Sequence, residues 1–344
     1  MITILHLIGA FFFLVCIWVE QAAQNTSSYD IKAERQKEHL KVLGILEDST
    51  EVSFKLTFDF NRPRIRHLDR FSYLLKGRSF DTQSMRQYNG TFCLEGLDAT
   101  DRVINNSLLF NSGIFPFRVD NVQLIATRDD SVRRVTAFDG ILGLNSLDNC
   151  NLNVPASAVI NQMRGKNKGF SLDIPQLKFV NEFHGQSFGE YDGKWFRIQQ
   201  FQFGRVALNA PLKGKIDLES RFIKIPSSLY NQIKKSHGLF DTRSLFSSDD
   251  TIEFWSDKKD PITFAWMKLD SKSPIFNFPM ELFWKRSEKI LFPPYWSKKT
   301  QWVNTIFIPH DYDFVSFGLF FLDEFKVSFD LENGKIYFER KNVT

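Results

Sequence analysis

The chain has 344 residues, of which 43% are hydrophobic and 24% charged, and its formal net charge is +4 at pH 7. This length predicts more than one average domain, and no block of like charge is long enough to indicate a nucleic-acid-binding tail. The 37 phenylalanines favour strands, so the composition predicts a β-rich core.

The first segment has the pattern of a signal peptide. Residues 4–19 carry no charge, and small residues suited to signal peptidase follow at positions 22 and 23. We therefore expect residues 1–23 to be removed and the protein to be secreted, with the endolysosomal lumen as the alternative. An uncleaved anchor stays open because the positive flank is weak. After cleavage we expect no membrane association.

In an exported protein, the cysteines and the glycosylation sequons of the chain become informative. Cys93 and Cys150 remain beyond the signal segment, either as one disulfide or as two separate buried thiols, since sequence separation does not set the geometry. Asn25, Asn89 and Asn105 begin N-x-S/T sequons, which predict surface glycosylation in an exported protein.

From Leu43 onward, short apolar and aromatic runs alternate with turns, which predicts an all-β protein. Helical periodicity is confined to two short stretches, residues 156–164 and 226–235. A strand followed by Asp at 59 has an echo at 217, and a strand followed by Gly at 143 has an echo at 318. The repetition predicts two similar lobes with a cleft between them, where ligand sites tend to lie.

Several segments resemble the pepsin-like aspartic protease family, in the family's order and over about residues 44–340. They are Gln87-Tyr88-Asn89-Gly90-Thr91, Phe138-Asp139-Gly140-Ile141-Leu142-Gly143-Leu144, Ser187-Phe188-Gly189-Glu190-Tyr191-Asp192, Ile225-Pro226-Ser227-Ser228-Leu229-Tyr230 and the tail from Val327 to Phe338. The resemblance implies an all-β, bilobal fold with a central cleft. The lobes would be residues 24–185 and 186–344.

The resemblance also implies a site at Asp59 and Asp217. The family's signature is Asp-Thr/Ser-Gly, twice: the two carboxylates share a proton and activate one water, and each Gly lets backbone N–H groups approach. The hydroxyls tie the two loops together. Here Phe60-Asn61 follows Asp59 and Leu218-Glu219 follows Asp217, so the hydroxyls and both glycines are missing.

Two functions follow from this pattern. The favoured one is a homologue without proteolytic activity that binds a peptide or protein in the cleft, as a monomer and without a cofactor. Tyr88 at the flap, Asn61, Glu219 and Arg62 are its candidate binding residues, with Arg62 placed to offset the charge of Glu219. The alternative is an active endopeptidase that uses Asp59 and Asp217. The histidines show no zinc-ligand spacing, so we expect no metal site.

Overall fold

Strands dominate the described part of the chain, which confirms the prediction of an all-β protein. The computed structural model describes residues 30–36, 39–47, 49–66, 79–80, 102–111, 116–127, 138–147, 158–208, 210–237, 240–242, 253–255, 264–279, 284–287, 301–304 and 307–341. The signal segment, Asn25, Tyr88, Asn89, Cys93 and Cys150 lie outside these residues, so the predictions made for them stay predictions.

The first half of the described chain contains eleven strands and one short helix. They are β1 (Asp30–Lys32), β2 (Glu34–Arg35), β3 (Leu40–Leu46), β4 (Glu51–Thr57), β5 (Arg64–Arg66), β6 (Ser79–Phe80), β7 (Arg102–Phe110), β8 (Phe117–Thr127), β9 (Gly140–Gly143), α1 (Val159–Met163), β10 (Gly169–Asp173) and β11 (Gln176–Val180). Asn105, a predicted glycosylation site, lies in β7.

The second half contains sixteen described strands and two helices. They are β12 (Ser187–Glu190), β13 (Phe196–Ile198), β14 (Gln200–Phe203), β15 (Val206–Leu208), β16 (Leu212–Ile216), β17 (Ile223–Pro226), α2 (Ser227–His237), β18 (Phe240–Thr242), β19 (Glu253–Trp255), β20 (Ala265–Lys268), β21 (Phe276–Phe278), β22 (Trp284–Ser287), β23 (Gln301–Asn304), β24 (Phe307–His310), β25 (Phe314–Phe317), α3 (Leu319–Glu324), β26 (Phe325–Asp330) and β27 (Lys335–Arg340). Helices α1 and α2 begin within three residues of the two stretches predicted to be helical.

Alternation explains why these segments form strands with one buried face. In β4, Val52, Phe54 and Leu56 are fully buried, while the residues between them are partly exposed. Successive side chains of a strand point to opposite faces, so this pattern places the apolar residues in the core.

One arrangement of five strands occurs twice. Within the eight-stranded sheet the order is β3-β4-β9-β5-β8, and the five-stranded sheet has the order β13-β16-β25-β17-β24. In both sets the central strand runs parallel to the strand before it and antiparallel to the strand after it. We call residues 30–180 the first repeat and residues 187–340 the second repeat. The expected lobe boundary at 185/186 stays a prediction.

A six-stranded sheet joins the two repeats, in the order β1-β11-β10-β26-β27-β12. Each repeat contributes three strands, and β10 pairs with β26 at the centre. On this sheet the rings of Phe170 and Phe329 stack with centroids 4.6 Å apart, and Phe58 packs on Phe329 at 5.2 Å. The two repeats therefore share part of one hydrophobic core.

Candidate functional site

The strand register shows which residues of the two repeats are equivalent. In the first repeat, Ile141 of β9 lies between Lys55 and Arg64. In the second, Ser316 of β25 lies between Lys215 and Lys224. The flanking residues are nine positions apart in both cases, so Lys55 corresponds to Lys215 and Arg64 to Lys224.

This register revises the equivalence that we expected from the sequence. Two residues after the matched lysines stand Thr57 and Asp217, and four residues after them stand Asp59 and Glu219. Asp217 therefore has Thr57 as its counterpart, and Asp59 has Glu219. Asp59 therefore occupies the position after β4 that Glu219 occupies after β16. It lies two residues beyond Thr57, the counterpart of Asp217.

One turn follows β4 and another follows β16, and the hydrogen bonds within these two turns support the same correspondence. The backbone N–H of Asp59 donates to the hydroxyl oxygen of Thr57 at 3.1 Å. The backbone N–H of Glu219 donates to Asp217 Oδ1 at 2.9 Å. Each turn thus closes on the side chain two residues earlier, and an oxygen acceptor at that position is what the turn requires.

A pair of glycines fixes the position of both turns. A Cβ on Gly143 would lie 2.0 Å from the carbonyl oxygen of Phe60, and a Cβ on Gly318 would lie 2.5 Å from that of Ser220, the counterpart of Phe60. Because no side chain fits in that space, each central strand can approach the turn only with glycine there. The sequence echo between Gly143 and Gly318 therefore reflects the same close approach in both repeats.

Asp217 is nearly buried and its carboxylate is fully engaged. Lys224 Nζ lies 3.2 Å from Oδ2, and the hydroxyl of Ser316 donates to the same oxygen at 3.0 Å. Burial alone would raise the pKa of Asp217, but the nearby Lys224 and Lys215, with the Glu219 N–H and Ser316, outweigh it and hold the pKa below its ordinary value. Asp217 is therefore an ionised partner of a lysine at neutral pH.

Two ion pairs cross between the repeats in a reciprocal pattern. Lys55 of the first repeat contacts Glu219 of the second at 2.7 Å, measured from Nζ to Oε1. Lys215 of the second repeat contacts Asp59 of the first at 3.7 Å, from Nζ to Oδ1. Each lysine reaches the acidic residue of the opposite turn, so the site brings the two turns together and neutralises their charge locally.

The other predicted site residues are placed as follows. Arg62 is 2% exposed, and the guanidinium carbon of the neighbouring Arg64 lies 4.0 Å from the centre of the Phe60 ring. The side chain of Asn61 donates to the carbonyl oxygen of Leu147 at 3.1 Å. The Asn61 hydrogen bond therefore attaches the turn after β4 to Leu147. Arg62 is too deeply buried to offer much surface to a ligand.

Neither turn carries a hydroxyl at the position after Thr57 or after Asp217. Phe58 follows Thr57 and Leu218 follows Asp217, and both side chains are buried, with exposed fractions of 3% and 1%. Phe58 packs on Phe329 at the shared sheet. These positions therefore serve the hydrophobic core and form no polar tie between the turns.

Sequence reasoning missed Thr57 and the lysines of the site. The signal was present as a five-residue echo, Lys55-Leu56-Thr57-Phe58-Asp59 against Lys215-Ile216-Asp217-Leu218-Glu219. Both copies place a lysine at the first position and an acid at the fifth.

Within the described residues, no group of three or more His, Cys, Asp and Glu side chains is placed to hold a metal ion. In the same part of the chain, no helix is long and apolar enough to cross a membrane. Among known proteins, no family model matches this chain, and no curated protein matches it.

Proposed function

We propose that the protein is a secreted homologue of the pepsin-like aspartic proteases that binds a peptide or protein without cutting it. The site that would correspond to the catalytic pair is formed by Thr57 and Asp217. An aspartic protease activates water between two carboxylates that share one proton. A threonine at one of the two positions leaves a single carboxylate, and this substitution is the observation that carries the proposal.

The state of the remaining carboxylate supports the same conclusion. Asp217 is ion-paired with Lys224, and its pKa is lowered rather than raised. In the catalytic pair of the family, an ionised carboxylate acts together with a second carboxyl group that holds the shared proton, and Asp217 is instead paired with a lysine. Asp59 pairs with Lys215 and stands at the position of Glu219, two residues beyond the position that the second carboxylate of the pair would occupy.

The repeated five-strand arrangement supports the fold half of the proposal. Two copies of one strand order, each with a turn after the second strand and a glycine at the end of the central strand, agree with the two similar lobes implied by the resemblance. A bilobal fold with a central cleft offers a groove in which an extended peptide can lie. Fold alone does not give function, so the argument against catalysis is made at the site.

A pH-scanned cleavage assay tests this proposal. Purified secreted protein is incubated with a peptide library between about pH 2 and pH 7, the range over which carboxylates titrate, and an active pepsin-like enzyme serves as the positive control. We expect no cleavage that depends on the site. Cleavage that is abolished in both Asp217→Asn and Asp59→Asn would show instead an active endopeptidase, whereas cleavage that persists in both variants would identify a contaminating enzyme.

A further inference from the structure

A group of partly exposed aromatic rings and lysines lies beside the Asp217 site on the second repeat. The ring of Trp195 meets Phe314 edge-on at 4.9 Å, and Tyr312 stacks on Phe314 at 5.4 Å. Tyr312 is 66% exposed, the largest exposed fraction among the described large hydrophobic side chains. We call this surface the aromatic–lysine patch and define it by Trp195, Tyr312, Phe314, Lys194, Lys213 and Lys215.

Strand pairing explains why the patch lies on one face. Lys213 and Lys215 alternate with buried Gly214 and Ile216 along β16, so both lysines point away from the core. Lys213 pairs with Phe314 of β25 in the parallel register. Asp217 continues the same alternation, which places the patch and the Asp217 site on one surface of the sheet.

The lysines surround the Trp195 ring at similar distances. The Nζ atoms of Lys194, Lys213 and Lys215 lie 5.8, 5.9 and 6.0 Å from its centre. Lys215 also pairs with Asp59. Within the part of the chain that the structure describes, Lys194 and Lys213 form no ion pair, so their charges are available to a ligand.

The neighbouring histidine does not add to this charge at neutral pH. His310 Nε2 donates to the carbonyl oxygen of Phe314 at 2.6 Å, and its ring packs 4.8 Å from the Phe314 ring. Burial lowers the pKa of His310 below its ordinary value, against the opposing effect of that hydrogen bond. The positive charge of the patch therefore comes from its lysines.

We propose that the aromatic–lysine patch binds a peptide segment in which an acidic residue stands next to an aromatic one. The proposal rests on the proposed function, because it names the class of peptide that the binding module takes. The rings offer stacking to an aromatic side chain, and the ammonium groups at the rim select a neighbouring carboxylate.

The charges around the patch favour a short acidic segment over a polyanion. Asp192 lies three residues before Trp195, and Asp311 and Asp313 flank Tyr312. These exposed carboxylates would repel the regularly repeated negative charge of a sulfated glycan. A short segment with one or two acidic residues beside an aromatic ring carries less negative charge and can still contact the lysines and the rings.

The test uses the full secreted chain and three fluorescein-labelled peptides. The probe is Gly-Ser-Glu-Tyr-Glu-Ser-Gly, and the matched peptides replace both Glu by Lys, or replace Tyr by Ala. Fluorescence anisotropy gives each Kd, at low and at physiological ionic strength. We expect the Glu-Tyr-Glu peptide to bind at least about tenfold more tightly than either control, with affinity falling as salt screens the lysines.

Variants place the binding at the patch. Lys213→Gln and Tyr312→Ser should each weaken the Glu-Tyr-Glu peptide by about three- to tenfold, the range of one exposed cation–π or stacking contact. Lys335→Gln is the matched control, since Lys335 is an exposed lysine whose Nζ lies 5.8 Å from a different ring, that of Phe188. Its Kd should stay within about twofold of the wild type. Thermal melts of all three variants confirm that each is folded.

Three results would overturn the inference. These are equal affinity for the three peptides, a Glu-Tyr-Glu affinity that Lys213→Gln and Tyr312→Ser leave unchanged, and displacement of the peptide by a heparin hexasaccharide that itself binds more tightly through Lys213. The cleavage assay on the same preparation shows whether the proposed function has failed as well, or only the inference about the patch. If the protein cleaves nothing but selects other peptides from a displayed library, the proposed function stands and only the inference about the aromatic–lysine patch is rejected.

Discussion

Asp217 is the residue on whose chemistry the proposed absence of catalysis depends. Lys224, Ser316 and the backbone N–H of Glu219 all stabilise its ionised form. In a catalytic pair, the second carboxylate would compete with these contacts and favour a shared proton. With Thr57 at that position no such competition exists, so the carboxylate acts as a structural anion that holds the turn and the lysine in place.

The depressed pKa of Asp217 predicts a particular dependence of stability on pH. A carboxyl group whose pKa is lower in the folded state stabilises the fold above its unfolded pKa, and this contribution is lost as pH falls through the folded value. Asp217→Asn should therefore reduce the free energy of unfolding by about 2 kcal/mol at pH 7. The difference from the wild type should shrink as pH falls below the ordinary value of 3.8.

Urea unfolding of both proteins at pH 7, 5 and 3 measures this difference. Asp120→Asn is a suitable control, because Asp120 pairs with Arg118 at 2.6 Å but 60% of its side chain is exposed. An exposed pair of this kind contributes little to stability, so this variant should differ little from the wild type. A difference for Asp217→Asn that is the same at every pH would contradict the ionised, lysine-paired state.

At the scale of single residues, the sequence predicted which segments carry the site but not their register. Because a shift of two residues preserves the alternation of a strand, the sequence pattern fits Thr57 and Asp59 equally well as the counterpart of Asp217. Matching aspartate to aspartate therefore shifted the first turn by two residues relative to the second. The strand pairing around Ile141 and Ser316 shows that Thr57 is the counterpart of Asp217, and the hydrogen bonds of the two turns agree with it.

At the scale of elements, the two crossed ion pairs connect turns that belong to different repeats. Lys55 and Lys215 lie on equivalent strands and reach Glu219 and Asp59 across the site. The shorter contact, at 2.7 Å, also involves the more buried lysine, since the Lys55 side chain is 13% exposed. We therefore expect the Lys55–Glu219 pair to be the stronger tie.

A double-mutant cycle with Lys55→Met and Glu219→Gln tests this tie. The coupling free energy should be about 1 kcal/mol, above the usual value for an exposed pair because both groups are partly withdrawn from solvent. Lys168 and Glu332 provide the control cycle, since they lie 3.9 Å apart with about half of each side chain exposed. Their coupling should be close to zero. Equal coupling in the two cycles would show that the Lys55–Glu219 contact does not tie the repeats.

Most of the elements themselves follow from local patterns. The short apolar runs from Leu43 onward predicted strands, and β4 is one of them, with alternating buried residues. The run that begins at Pro226 with two serines predicted a helix, which the structure places at Ser227–His237. The six-stranded sheet was not predicted, because β10 and β26 are more than 150 residues apart and nothing local specifies their pairing.

At the scale of the whole molecule, the six-stranded sheet determines whether each repeat can fold alone. Separating the repeats would expose the long edge of β10 on one side and of β26 on the other. It would also divide the cluster in which Phe58 and Phe170 of the first repeat pack on Phe329 of the second. An exposed edge strand and a divided aromatic core both favour aggregation. The repeats should therefore behave as two parts of one folding unit.

Expression of the chain in two pieces tests this expectation. Residues 24–185 and 186–344 should each be aggregated or lack a cooperative thermal transition when expressed alone. When the two are expressed together they should associate through β10 and β26, because association restores the strand pairing and reunites Phe170 with Phe329. Size-exclusion chromatography and thermal melts of each piece, of the mixture and of the intact chain provide the comparison. A single piece that is monomeric and melts as cooperatively as the intact chain would show that the repeats are independent domains. In that case the crossed ion pairs would connect two domains that fold independently, and they would not be needed for either domain to fold.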